Sequence, residues 1–188
     1  MKQADIIKQL SDKELKKQLI LSQCMFLIMG IILSFFLFDH ITDWIDLFHF
    51  HPKHILYYGI LPSIGLVVFE ILLYSFLPKK AFDDGGINER IFKGQSVGWI
   101  AGISCIVAIC EEVIFRGVLQ VTFGYVIASS IFALVHVRYL KKPVLFLLVV
   151  GISFLIGFLF LLTNNLIVTI VFHFMVDFLL GMFIRYKK

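Results

Sequence analysis

Charge is what this sequence has least of: 16% of its 188 residues are Asp, Glu, Lys or Arg, while 60% are hydrophobic. A water-soluble domain carries roughly a quarter charged and about half apolar residues. A chain this short of charge cannot cover its apolar side chains with a polar surface, so its solvent is lipid and a soluble globular fold is excluded. The basic residues gather at the chain ends and in short segments between long apolar stretches, so the net charge of +4 reports topology and gives no argument for nucleic acid. Cysteine is also scarce. Cys24, Cys105 and Cys110 fall in apolar stretches without CxxC spacing, which excludes a disulfide framework and a thiolate metal site and leaves them as small buried hydrophobes. No internal repeat or low-complexity tract is present. No small-residue cleavage site follows the first apolar run, so the first helix is expected to be retained.

What the sequence does have is long apolar runs. A spanning helix needs roughly 20 mainly apolar residues, and such runs occupy 19–38, 55–77, 144–162 and 166–184, the last two split by Thr163-Asn164-Asn165. Residues 96–137 are apolar but interrupted by Glu111, Glu112 and Arg116. Their length suits two helices with a turn near Phe123-Gly124, since one such helix would overshoot a bilayer. The expectation is an all-α, polytopic membrane bundle of about six spans. Of 17 basic residues, 15 fall in alternate connections or at the termini, against only Lys53 in an opposite connection and Arg116 within a span. That asymmetry puts both termini in the cytoplasm. The segment LPKKAFDDGGINERIFKGQ reads as a flexible cytoplasmic connection between an N-terminal segment with two spans (1–95) and a four-helix unit (96–188), both within one membrane domain.

Ionisable groups within spans cost roughly 2.5 to 3.5 kcal/mol each on insertion scales, and their first reading is functional. In EEVIFR, Glu112 and Arg116 are four apart and share a helix face, so they can pair, while Glu111 points about 100° away. In FALVH, His136 lies one turn from Phe132. In HFMVD, His173 and Asp177 are four apart, where a carboxylate accepts an imidazole N–H and fixes its tautomer. Glu111 precedes, and His136 follows, the Phe123-Gly124 turn by 12 to 13 residues, which brings both to one level, roughly 18 Å from the tip. His173 reaches that level with modest tilt. A water-accessible polar cavity inside the bundle follows. Amide hydrolysis needs a base for water, a partner for the oxyanion and a sheltered site. These groups offer all three, or alternatively the ligands of a divalent metal.

EExxxR, FxxxH and HxxxD, in that order on successive membrane helices, resemble the CPBP family of intramembrane proteases, which includes the CAAX prenyl endopeptidases and bacterial proteins linked to bacteriocin processing and immunity. The resemblance covers about half the chain, 96–186. It implies a bacterial, multi-pass cell-membrane peptidase acting on a membrane-associated or lipid-anchored protein or peptide. It further implies Glu111 as catalytic glutamate, His136 as its partner in activating water, His173 and Asp177 as the third motif, and Glu112 and Arg116 as supporting pair. Prenyl endopeptidases favour Asn where Asp177 stands; an ionised Asp has no proton to donate, which leaves hydrolysis open but weakens specific CAAX processing. A glutamate-type enzyme and a metalloenzyme, with zinc on Glu111, His136, His173 and Asp177, both remain open.

Two rival functions compete with the enzyme. One is a non-catalytic membrane scaffold or immunity protein of the same fold, and the other a small proton-coupled transporter, which would need a continuous polar track and usually a repeat between halves. Phe132 reads as packing. Glu70, in the second span, either borders the cavity or stands apart from it. The external segment around His40 to His54, DHITDWIDLFHFHPKH at 39–54, holds four histidines and three acids but at irregular spacing, and reads as a solvated loop with Trp44, Phe48 and Phe50 at the interface.

The charge asymmetry gives a direct test. Single cysteines at positions 46, 17, 84 and 188 should separate under a membrane-impermeant reagent, with 46 labelled from outside and the other three protected. Labelling of 188 from outside, or none at 46, would refute the topology.

Overall fold

In a computed structural model, which describes residues 10–187, the chain is helical with no strand among those residues. The first nine residues, with Lys2 and Lys8 of the N-terminal basic group, and Lys188 lie outside the described residues. Six helices carry the architecture: α1 (Asp12–Leu37), α2 (Pro52–Phe76), α3 (Val97–Phe123), α4 (Tyr125–Val135), α5 (Pro143–Thr163) and α6 (Leu166–Tyr186). All but α4 are 21 to 27 residues long and apolar enough to cross a membrane. Helix α4 has 11 residues, about 16 Å of rise, roughly half a hydrocarbon core. The six expected spans are therefore five spans and one shorter apolar helix in a polytopic bundle.

Local chemistry sets these boundaries. Helix α1 starts before residue 19 because Ser11 and Glu14 form a capping box, with the Ser11 amide donating to Glu14 Oε2 at 2.7 Å and the Glu14 amide to Ser11 Oγ at 3.3 Å. Two orphan N–H groups are thereby met and the helix extends into the polar segment. The α3–α4 turn rests on Gly124, at φ 86° and ψ 169°, a conformation closed to side chains with a Cβ. Helix α4 stops at His136, which leaves the helical region while its ring takes the Phe132 carbonyl. Within α3, Val113–Gln120 widens into a π-helical stretch directly after Glu112, a distortion that recurs at functional sites.

Both ends of the bundle are tied. On the side of the basic connections, Ile87–Phe92 packs Ile87 and Ile91 against Leu15, and Arg90 pairs with Asp12 at 2.6 Å. The Asp-Asp-Gly-Gly turn is fixed by its own acids: Asp83 and Asp84 accept from the amides of Gly85 and Asn88 at 2.8 and 2.9 Å. At the opposite end, the fully buried Asn165 caps α6 and donates to the His49 carbonyl at 2.5 Å, while the Leu166 amide donates to Leu47 O at 2.8 Å. Trp44 from that connection is inserted against Gly117, while Phe48 and Phe50 are exposed. All three cysteines are free, and only Cys110 is buried. Cys24 and Cys105 instead lie on outer helix faces, where lipid accommodates a small apolar thiol as well as the interior does.

Helices α4 and α5 run antiparallel in close contact. Tyr125 donates to the Phe154 carbonyl at 2.9 Å, and a Cβ on Gly157 would lie 2.6 Å from Ser129 Oγ and 2.8 Å from the Tyr125 ring. Gly157→Val should therefore destabilise the protein by about 1 to 3 kcal/mol, the usual cost of overpacking. A melting curve of the purified variant that matches wild type would show that the two helices do not pack this closely.

Candidate active site

Deep burial of charge singles out one region. Arg116 is among the largest fully enclosed side chains of the bundle, and Glu112 has no exposure either. Their Nε and Oε2 atoms lie 3.5 Å apart, an ion contact without a linear hydrogen bond. The rest of the guanidinium is satisfied by neighbours on three helices: Gln120 Oε1 at 3.3 Å, Ser129 Oγ at 3.2 Å and the Ser153 carbonyl at 3.1 Å. Phe132 lies across its face at 5.2 Å. The Glu112–Arg116 spacing in the sequence thus becomes a pair, but one embedded in a polar cluster that local spacing does not announce.

Glu112 also reaches α6. Its Oε1 accepts from His173 Nδ1 at 2.9 Å, whereas Asp177 Oδ2 stands 3.7 Å from His173 Nε2. The expected tie between His173 and Asp177 is an ion-pair contact beyond hydrogen-bond length, and the ring is held by Glu112 instead. With Nδ1 committed to a carboxylate, Nε2 is the nitrogen left toward Asp177.

Glu111 points away from this cluster. It is buried, and its Oε1 accepts from Gln23 Nε2 of α1 at 2.9 Å. His136, at the end of α4, sets Nδ1 2.8 Å from the Phe132 carbonyl. A carbonyl only accepts, so Nδ1 carries the proton in the neutral ring and Nε2 is free to act as base or acceptor. Its ring lies 4.9 Å from that of Phe132 and stacks at 6.3 Å on Tyr139.

Glu111, His136, His173 and Asp177 all line one cavity of about 590 Å³, which runs from mid-bundle to the connections bearing Asp84, Asn88 and Arg138. Gln23 and Glu70 line it too. The cavity therefore unites every residue of the three motifs that was expected to face a common site, while Glu112 and Arg116 sit behind its wall. Gln23, Gln120, Ser129 and Ser153 were not apparent from the sequence. The signal for Gln23 was an uncharged amide inside an apolar run; serines in a membrane helix carry almost none, because they bond their own backbone equally well.

A divalent metal such as zinc needs at least three converging ligands from this set. Among the described residues no group of three or more His, Cys, Asp or Glu side chains is placed to hold one. Glu111 is turned to Gln23 and His173 to Glu112. The donors present do not fit a metal centre. The histidines of the segment at 40–54 form none either, although the His51 and His54 rings approach to 5.1 Å.

Comparison with known proteins adds an independent finding. Residues 93–179 match the family model described as type II CAAX prenyl endopeptidase Rce1-like. The uncharacterised protein YpbD of Bacillus subtilis (strain 168) is 36% identical over 152 residues, which cover 81% of this chain and 80% of that protein. No solved structure matches.

The buried pair makes a stability prediction. Arg116→Ala would strand Glu112 without its cation and should cost roughly 3 to 5 kcal/mol, read as loss of monodisperse protein or a large drop in melting temperature. A stably folded Arg116→Ala would show that the cluster is not what holds α3, α4 and α5 together.

Proposed function

Because this chain belongs to the type II CAAX prenyl endopeptidase Rce1-like family, we propose that it is an intramembrane peptidase that cleaves a peptide bond of a membrane-associated or lipid-anchored substrate in the cavity between its helices. It is a multi-pass cell-membrane protein. The observation that carries the reading is the placement of Glu111, His136 and His173, from three different helices or helix ends, on one cavity reached from the side of the basic connections.

The chemistry divides among these groups. Gln23 steadies one oxygen of Glu111, and the other takes a proton from a water molecule as that water attacks the carbonyl carbon of the scissile peptide. The C–O bond forms and the carbonyl electrons move onto oxygen. His136 and His173 face this charge, one aligning the water through Nε2 and the other donating to the oxyanion. Collapse of the intermediate restores the carbonyl and breaks the C–N bond. The departing amine takes the proton held by Glu111, which returns the site to its starting state. Asp177 steadies the Nε2 side of His173, and Glu112 with Arg116 fixes that ring from behind.

Each of Glu111→Gln, His136→Ala and His173→Ala should lower turnover about a hundredfold or more while leaving the fold intact. The measurement compares membrane peptides and proteins that accumulate in cells carrying wild-type or variant protein, followed by cleavage of those candidates by purified protein. A folded Glu111→Gln that cleaves at the wild-type rate would remove Glu111 from the mechanism.

A further inference from the structure

Glu70 takes no part in the chemistry above, yet it borders the same cavity from α2, outside the stretch matching the family model. It is 9% exposed, and one of its oxygens is enclosed without a hydrogen-bond partner. No cationic side chain among the described residues pairs with it. Asp177 on α6, another carboxyl, lines the same cavity. A second orphan lies in the same cavity. Gln23 is 3% exposed and lines the cavity, and while its amide nitrogen serves Glu111, its Oε1 has no donor. One turn beyond Glu70, the Tyr74 hydroxyl is likewise buried and unpartnered.

Unmet acceptors in a low-dielectric cavity are costly unless a ligand supplies the missing donors. The charge balance says which kind. The inner cavity presents the carboxyls of Glu70, Glu111 and Asp177. Asp177 faces His173 and Glu111 takes Gln23, which leaves Glu70 as the carboxyl without a partner among the described residues, and the other cations nearby are committed elsewhere. Arg116 is sealed behind the wall with Glu112, Arg138 donates to Asn88 and Tyr139 at the rim, and Lys187 lies on the Tyr74 ring. A neutral donor would satisfy the hydrogen bonds but leave the charge excess; an ammonium or guanidinium satisfies both.

We propose that Glu70, with Asp177 and Gln23 lining the same cavity, forms a subsite for a lysine or arginine side chain of the peptide substrate close to the scissile bond. This rests on the peptidase reading and adds a specificity-determining residue to it. The flanking aromatic wall fits the methylene stem of such a side chain, since Tyr74 packs on Phe82 and Phe183 at 5.2 and 5.8 Å.

The test profiles cleavage of a synthetic mixture of randomised dodecapeptides by full-length protein in lipid nanodiscs, with product termini read by mass spectrometry. Glu111→Gln serves as the control. Wild type should show Lys and Arg enriched about tenfold or more over Leu and Gln at one position beside the cut, since a site built to bind a polar group discriminates strongly against analogues lacking it. Glu70→Gln should erase that enrichment, and Glu70→Lys should shift it toward Asp and Glu. Gel filtration and melting establish that each variant is folded. Glu111-dependent cleavage without basic preference, or with the same preference in Glu70→Gln, overturns the subsite alone. Complete loss of cleavage in folded Glu70→Gln also overturns it, because that places Glu70 in the chemistry. No Glu111-dependent cleavage at all removes the peptidase reading and the subsite with it.

Discussion

A guanidinium without solvent, in the middle of an apolar bundle, is the constraint that the other parts answer to. Arg116 carries five N–H donors in a fixed plane and cannot shed its charge. The side chain has no exposed surface, so the donors are met by protein, and three helices are brought to fixed depths to do it: Gln120 on α3, Ser129 on α4 and Ser153 on α5. The serines also bond across to each other's backbones, with Ser153 Oγ 2.8 Å from the Ser129 carbonyl. Small side chains are what allow this, since α4 and α5 approach closely enough that Gly157 has no room for a Cβ. The counter-ion then carries the order onward, because Glu112 holds Arg116 with one oxygen and His173 of α6 with the other. The His173 imidazole, which lines the cavity, is thus positioned by a charge that lies outside it.

Much of this architecture was legible because lipid imposes simple rules on sequence. Runs of apolar residues marked the helices, and Gly124 marked the turn since it alone in that stretch tolerates a positive φ. The four-residue spacing of Glu112 and Arg116 foretold their contact. Other features could not be read. The depth of α4 depends on where His136 gives up its helical conformation, a choice made by the ring bonding the Phe132 carbonyl. His173 has two acceptors within reach, and the local spacing favoured Asp177. The partner that binds at hydrogen-bond length is Glu112, 61 residues away. A pattern confined to one helix cannot rank a neighbour on its own helix against one brought from another. Gln23 is illegible for the same reason, its 88-residue separation from Glu111 being fixed only by packing of α1 on α3.

The motif-bearing stretch is consequently not the whole of the site. Glu111 owes its one side-chain hydrogen bond to α1, and the cavity owes an unpaired carboxyl to α2. The groups named by the family pattern come from α3, α4 and α6, whereas Gln23 and Glu70 come from α1 and α2. Such a division lets α2, which among the described residues makes no hydrogen bond to the motif side chains, vary in sequence without disturbing their geometry.

The shortness of α4 has a consequence for the lipid itself. Its first residue, Tyr125, meets Phe154 and Gly157 of α5 and not the helix end at Thr163, so the Gly124 turn stops about six residues, or roughly 9 Å, below its neighbour's tip. Polar backbone at that turn must meet water or headgroups. With the orientation expected from the basic residues, the outer leaflet should be drawn inward along this flank and left flat along α5, at a cost of fractions of a kcal/mol per ångström of mismatch. Such a protein would be a lopsided inclusion, and membranes that are already thin should hold it with less strain than thick ones.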